Sequence, residues 1–362
     1  SNVVTSILDV ESKVVFSSTN ITDKQEGLRK LFQEEGVALI VIPKNFTQNI
    51  ETGRVGNLRV YWIMRGAGIM DSIPSNVVSN ILSLINTNIS QRLIQNNASV
   101  NATIALHPTV RNETTYFKGK ELVGVSPDRV ISVLSSQSTF IPIVMMMIII
   151  TAGGMVISSM ALEKENKTLE TLLTLPVKRT SIVAGKIIAS ALVGLLLATI
   201  YMLGLSFYMR SFQFSGGVNL ATYGLMLTPQ ELFLVGVSLF VTLISALSLC
   251  MLLGVFARNY KSAQTLTFPI TMLALIPMFI TMFKDFGTLP FALKILVFAI
   301  PFSHPMMAPR ALLFDEYLLV VAGILYVSFF ALVTIVIAVQ VFRTDRLVTG
   351  VTKKKRFFGR RR

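Results

Sequence analysis

The chain has 362 residues, of which 52% are hydrophobic and only 14% charged, with a formal net charge of +14 and a mean hydropathy of +0.64. That composition excludes a soluble globular protein and identifies a polytopic α-helical membrane protein. The single cysteine, Cys250, leaves no intrachain disulfide, and the two histidines, His107 and His304, stand too far apart in sequence for a His-rich metal site, so no metal is expected.

Residues 1–137 are polar and Asn-rich and read as an α+β domain on the extracytoplasmic side. Residues 22–35 open with Thr22 and Asp23 ahead of Gln25 and Glu26, a helix start. Residues 37–42 and 57–64 are β-branched or aromatic runs that predict strands. Over 74–94, Val77, Val78, Ile81, Leu82, Ile85, Ile89 and Leu93 recur at helical spacing, and the segments 103–106 and 121–125 could return to the sheet. Six N-x-S/T triplets, at Asn20, Asn45, Asn88, Asn97, Asn101 and Asn112, fit either a glycosylated outward surface or an Asn-rich loop surface. No leader precedes the domain in the text, which starts at Ser1. Delivery of such a domain across a membrane predicts one more transmembrane helix upstream.

Five spans follow, over 138–160, 187–209, 231–256, 262–283 and 317–342, none with a charge in its middle. At roughly 1.5 Å per residue each can cross a core about 30 Å thick. Between the first two lies a charged loop, 161–186, whose Glu163, Lys164, Glu165, Lys167, Glu170, Lys178, Arg179 and Lys186 must stay in water. Its leucines, Leu162, Leu169, Leu172, Leu173 and Leu175, form one stripe on a short helix that Pro176 stops. Such a stripe lies against the membrane interface, the protein's own helix ends or a partner.

A sixth apolar stretch, 290–313, carries Lys294, Pro301, His304, Pro305, Pro309 and Arg310, which break it into two halves too short to cross. It reads as a re-entrant hairpin or a surface loop, the former requiring neighbours that satisfy the freed backbone groups. Residues 343–362 form a basic tail with nine Lys and Arg. It suits an anchor facing anionic lipid rather than nucleic acid, with docking on a partner as the other use. Placing loop 161–186, the turn with Arg258 and Lys261, and the tail on one side collects sixteen basic residues there. The other short loops hold four, Arg210, Lys284, Lys294 and Arg310. That asymmetry puts the C-terminus in the cytoplasm and the N-terminal domain outside, in the cell membrane.

Absent chemistry narrows the function. The chain has no G-x-x-x-x-G-K-[ST] loop and no H-E-x-x-H, and its predicted spans hold neither Asp nor His. It is therefore not expected to be an enzyme, and ion-coupled antiport is disfavoured. Span residues such as Ser158, Thr199, Ser245 and Thr271 can serve helix packing or substrate contact, and the methionines at 145–147 either line a route or fill a core.

Glu165, Thr168-Leu169-Glu170, Leu172-Leu173, Pro176-Val177 and Gly185-Lys186 resemble the E-x-G-T-x-E-x-L-L…P…G-K stretch after the second membrane helix of type-two ABC exporter permeases, in the drug-exporter and sodium-efflux branches. Lys167 stands where that family often has Gly. The run 36–53 is similar to the family's extracytoplasmic "lvIPxxFsxxlxxG" stretch, 300–314 to its "iPfxxPxxxxRxxl" segment, and 256–263 to its second inner loop. The resemblance implies that Glu163, Glu165, Thr168, Leu169, Glu170, Leu172, Leu173 and Pro176 form a coupling helix on a separate ABC nucleotide-binding ATPase, with Arg258 and Lys261 as a secondary contact. It implies that Pro301, His304, Pro305 and Arg310 belong to a re-entrant hairpin at the outer end of the route, and that a sixth, N-terminal span exists. It further implies no cofactor on this chain, ATP and Mg on the partner, a second permease copy or paralogue, and export of an ion, lipid, drug or peptide. The rival from another class is a membrane-anchored sensor or adhesion protein whose outer domain binds a ligand.

Overall fold

The computed structural model describes residues 8, 14, 16–18, 24–66, 68–96, 102–168, 181, 185–186, 188–189, 192–197, 199–201, 203–204, 207, 227–257 and 259–343. Their contacts divide into two compact units, one drawn from residues up to 139 together with 282–289, the other from the remainder.

In the first unit the strand and helix periodicities of the sequence are realised as one sheet against one long helix. Helix α1 (Lys24–Gln33) leads to β1 (Ala38–Val41), the short α2 (Phe46–Glu51) and β2 (Gly56–Met64). Then come α3 (Ile73–Asn96), α4 (Ala102–Leu106), β3 (Thr109–Phe117) and β4 (Lys120–Val123). Alternate residues of β2, Leu58, Val60 and Trp62, point to one face. There they meet Ile81, Leu82, Ile85 and Ile89 of α3 and Phe46 of α2, which make the core. The sheet order is β1-β2-β3-β4. β1 and β4 pair antiparallel with their neighbours, while β2 and β3 run parallel, so α3 and α4 are the crossover that parallel pairing demands. The β3–β4 hairpin closes on Lys118 and Gly119, both at positive φ (44° and 83°), the backbone of a tight two-residue turn.

Residues 103–106 correct the sequence expectation: they are helical, in α4, and do not return to the sheet. The fourth strand is instead β3, whose TVRNETTYF run carries Arg111 and Glu113 on the half-exposed part of the strand and so lacks an apolar signature.

Residues 282–289 complete this unit through Asp71. Its Oδ2 accepts from the backbone N–H groups of Gly68 (3.1 Å) and Asp285 (2.9 Å), and its Oδ1 from the Thr288 hydroxyl (2.9 Å). Lys118 pairs with Asp285 at 3.3 Å, with both side chains largely buried. Gly68 lies so close that a Cβ there would sit 2.6 Å from the Phe283 carbonyl oxygen and 2.7 Å from the Lys284 Cα.

In the second unit, four described helices are long and apolar enough to cross a membrane: 141–165 within α5 (Pro127–Glu165), α6 (Pro229–Phe256), α7 (Tyr260–Phe283) and 317–341 within α10 (Tyr317–Arg343). Helix α5 starts at Pro127 rather than near 138, because Pro127 and Asp128 supply a helix start ahead of the apolar run. The predicted span 187–209 lies largely outside the described residues, although 192–197 are helical. Helix α6 begins in a capping box: Thr228 Oγ1 accepts from the Glu231 N–H, and the Glu231 carboxylate accepts from the Thr228 N–H at 2.6 Å and from the Tyr317 hydroxyl of α10. Helices α5 and α6 approach closely at two small residues. A Cβ on Gly153 would lie 2.6 Å from Cys250 Sγ, and one on Gly254 would lie 2.9 Å from Met160 Cβ.

Because the atoms facing Gly68 are backbone, Gly68→Ala cannot be absorbed by a side-chain rotation. The substitution should free residues 282–289, read as faster hydrogen exchange at the Asp285 amide with protection of the β2–β3 pairing retained.

Candidate functional site

The C-terminal end of α5 binds the α6–α7 turn through two adjacent charged residues. Residues 153, 157, 160 and 164 fall on one side of α5 by helical spacing, and Met160 joins Met251 and Val255 in a small core. Lys164 extends that face: its ammonium donates to the carbonyls of Val255 and Ala257, the latter at 3.2 Å. These carbonyls end α6, where cations are favoured. Glu165 reaches the opposite pole of the next helix and accepts from the Tyr260 N–H at 3.0 Å, at the first residue of α7. Asn259 and Ser262 cap the same terminus reciprocally, at 2.9 and 3.1 Å. A carboxylate on a helix N-terminus is worth about 1 kcal/mol, so Lys164 and Glu165 together hold the end of one helix and the start of the next. Glu163 faces another way and pairs with Lys186, whose ammonium also lies 3.1 Å from Met160 Sδ.

Past Glu165 the chain turns at Lys167, which adopts φ +58°, and residue 168 is again helical. A left-handed residue just past a helix end is most often Gly. Here the turn forms with a lysine in that place.

The second arrangement is the broken helix. Helices α8 (Phe291–Ala299) and α9 (His304–Leu313) are joined by a single tight turn, Pro301–Ser303, and the two halves are bent by 94°. Ending α8 leaves its last carbonyls without intrahelical donors. The Phe298 and Ala299 carbonyls rely on side chains, while Val297 also accepts from the Ile300 N–H (3.2 Å) and Ile300 from the Ser303 N–H (3.1 Å). Ser303 donates to Val297 (2.6 Å) and Ile300 (2.8 Å), His304 Nε2 donates to Phe298 (3.0 Å), and the Tyr326 hydroxyl of α10 donates to Ala299 (2.7 Å). The His304 ring meets Phe298 edge-on at 4.8 Å, and a Cβ on Gly323 would lie 2.5 Å from its Nδ1, so α10 runs directly over it. Pro301, His304, Pro305 and Arg310 are all buried.

The structure thus brings together Glu165 and the turn that holds Lys261, which were predicted as separate contacts; Lys261 itself is exposed in the first turn of α7. Glu163, Glu165 and Thr168 are described, whereas Leu169, Glu170, Leu172, Leu173, Pro176 and Arg258 lie outside the described residues. Among the sequons, Asn20, Asn97 and Asn101 also lie outside them. Asn45 is exposed ahead of α2, Asn112 is exposed on β3, and the Asn88 amide donates to the Leu84 carbonyl within α3 at 2.9 Å. Sequence reading missed Lys164, Ser303 and Tyr326. Ser303, two residues after Pro301, is the one whose position could have signalled a turn donor.

The family model described as ABC-2 family transporter protein matches residues 1–339. A crystal structure of one domain of a proposed ABC type-2 transporter from Thermotoga maritima is similar at 22% identity and a TM-score of 0.33, over 37% of this chain and 89% of that one. No curated protein matches the chain.

Two substitutions check these geometries by thermal unfolding of the detergent-solubilised chain. Lys167→Gly should stabilise by about 1 kcal/mol, since it removes a side chain from a left-handed position. Tyr326→Phe should destabilise by about 0.5–1 kcal/mol, the net worth of one hydrogen bond to the exposed Ala299 carbonyl.

Proposed function

The chain belongs to the ABC-2 transporter family, and from that membership we propose that it is the export subunit of a complex driven by a separate nucleotide-binding ATPase. As an ABC-2 permease it is the membrane component of an ABC transporter and not the catalytic one. A P-loop is missing from its sequence, so ATP and Mg would be held by the partner chain.

The observation that carries the reading is the double grip of Lys164 and Glu165 on the α6–α7 turn. A partner pressing on the leucine-striped segment after α5 would displace α5, the end of α6 and the start of α7 together. In that scheme Glu163, Glu165, Thr168, Leu169, Glu170, Leu172, Leu173 and Pro176 form the docking and coupling region. Lys261 and Arg258 flank it on the cytoplasmic face. ATP binding would close two ATPase subunits beneath a pair of permeases, either two copies or a copy and a paralogue, and the movement would open a route outward.

The bent α8–α9 pair fits a re-entrant hairpin toward the outer end of that route, with the N-terminal unit outside the cell and the basic tail in the cytoplasm. On α5, Met145 is packed in the core while Met147 and Met155 are exposed; the cargo would be an ion, lipid, drug or peptide, and to an apolar one the exposed pair would offer a soft, adaptable surface.

Two variants separate docking from transmission. Glu170→Lys should reduce copurification of an ATPase with the tagged chain from native membranes. Glu165→Ala, which releases the start of α7 from α5, should lower transport per ATP hydrolysed more than it lowers copurification. Isolation from native membranes with no ATP-hydrolysing companion would overturn the reading.

A further inference from the structure

A cavity of about 530 Å³ opens in the N-terminal unit where β4 ends, lined by Arg111, Glu113, Val123, Gly124, Ser126 and Arg129 among others. Its volume lies within the 300–1,000 Å³ of small-molecule sites. The pairing of β3 explains why the space exists. β4 covers only residues 114–117 of that strand, and the chain then leaves at Val123, so among the described residues the first half of β3 has no strand on that side.

The walls are held in place. The Gly124 N–H, at φ +77°, donates to the Glu113 carbonyl (2.8 Å), and the Thr115 hydroxyl donates to the Val125 carbonyl (2.7 Å), which ties the turn 124–126 to β3. Arg111 is steadied by its guanidinium bond to the Ser83 hydroxyl at 3.1 Å. Arg129 lies on the first turn of α5 and, with Ser126 just before that helix, lines the cavity. Ser126 hydrogen-bonds the Glu113 carboxyl, which burial pushes above the usual carboxylate range even against the pull of Arg111 and Arg129, with Asp128 nearby adding to the rise. Of the residues lining the cavity, Glu113 alone is acidic, against the two guanidiniums of Arg111 and Arg129.

We propose that this cavity is a binding site for a small oxyanion, a phosphate or carboxylate group carried by a soluble molecule or by a lipid headgroup. The planar forks of Arg111 and Arg129 provide paired donors suited to such a group, and the rigid turn at Gly124–Ser126 closes one side. The site stands apart from the transport reading and does not depend on it.

Isothermal titration of the full, detergent-purified chain at constant ionic strength tests the assignment, with inorganic phosphate and acetate as probes. Saturable binding of at least one is expected. It should weaken tenfold or more in Arg111→Gln and in Arg129→Gln, and persist or tighten in Glu113→Gln. If the Gln variants melt early, Arg129→Lys serves instead; it keeps the charge, loses the fork, and should weaken binding several-fold. Repeating the titration in phosphatidylglycerol and phosphatidylcholine nanodiscs separates the sources. Loss of phosphate binding only with phosphatidylglycerol marks a headgroup, and equal binding in both marks a soluble anion. No saturable binding of either probe, or binding unchanged when both arginines are replaced, overturns the proposal.

Discussion

A carbonyl without a donor costs several kcal/mol in an apolar surrounding, and the turn at Pro301 takes the intrahelical donors from the Phe298 and Ala299 carbonyls at the end of α8. His304 and Tyr326 satisfy these two, and the Ser303 hydroxyl adds a side-chain bond shared between Val297 and Ile300. Two of these donors sit just beyond the break, so the sequence that ends α8 also caps it. Tyr326 comes from α10 and locks the pair to a neighbouring helix. The bend of 94° is thus a specified geometry, held from both sides of the chain.

The same rule explains the other end of the helical unit. Lys164 and Glu165 are adjacent in sequence, yet they serve opposite poles, a helix C-terminus on α6 and a helix N-terminus on α7. Interchanging the two charges would set each against the local dipole. Close packing brings them there: Gly153 and Gly254 let α5 and α6 approach until Met160 and Val255 touch, which carries Lys164 to the last carbonyls of α6. Small residues, a methionine and one lysine therefore make a single contact line along α5.

Much of this was legible in the sequence, and the parts that were not share a cause. The long apolar helices, the α3 stripe and β2 follow from periodicity, because one face of each is buried against a single neighbour. The break at Pro301 follows from backbone chemistry. β3 was not legible, since Arg111 and Glu113 border an open cavity rather than a core and so carry no apolar alternation. The helix at 102–106 is too short for periodicity to distinguish it from a strand. Lys164 looked like one charge among many in a solvated loop, and only the crossing of α5 and α6 shows where its ammonium goes. Tyr326 lay inside an apolar run, and nothing local to it marks Ala299 as its acceptor.

Asp71 and Asp285 are 214 residues apart, yet the first unit is incomplete until they meet. At about 5–20 residues per second of synthesis, residues 66–72 wait on the order of 10–40 s for the strap that fills them. During that interval the Asp71 carboxylate and the ledge at Gly68 lack the partner they are shaped for, and most of the helical unit is made in between. A polypeptide arrested before residue 282 would thus carry an N-terminal unit lacking its last piece. Closure of the strap marks a chain that has been made through its penultimate long helix.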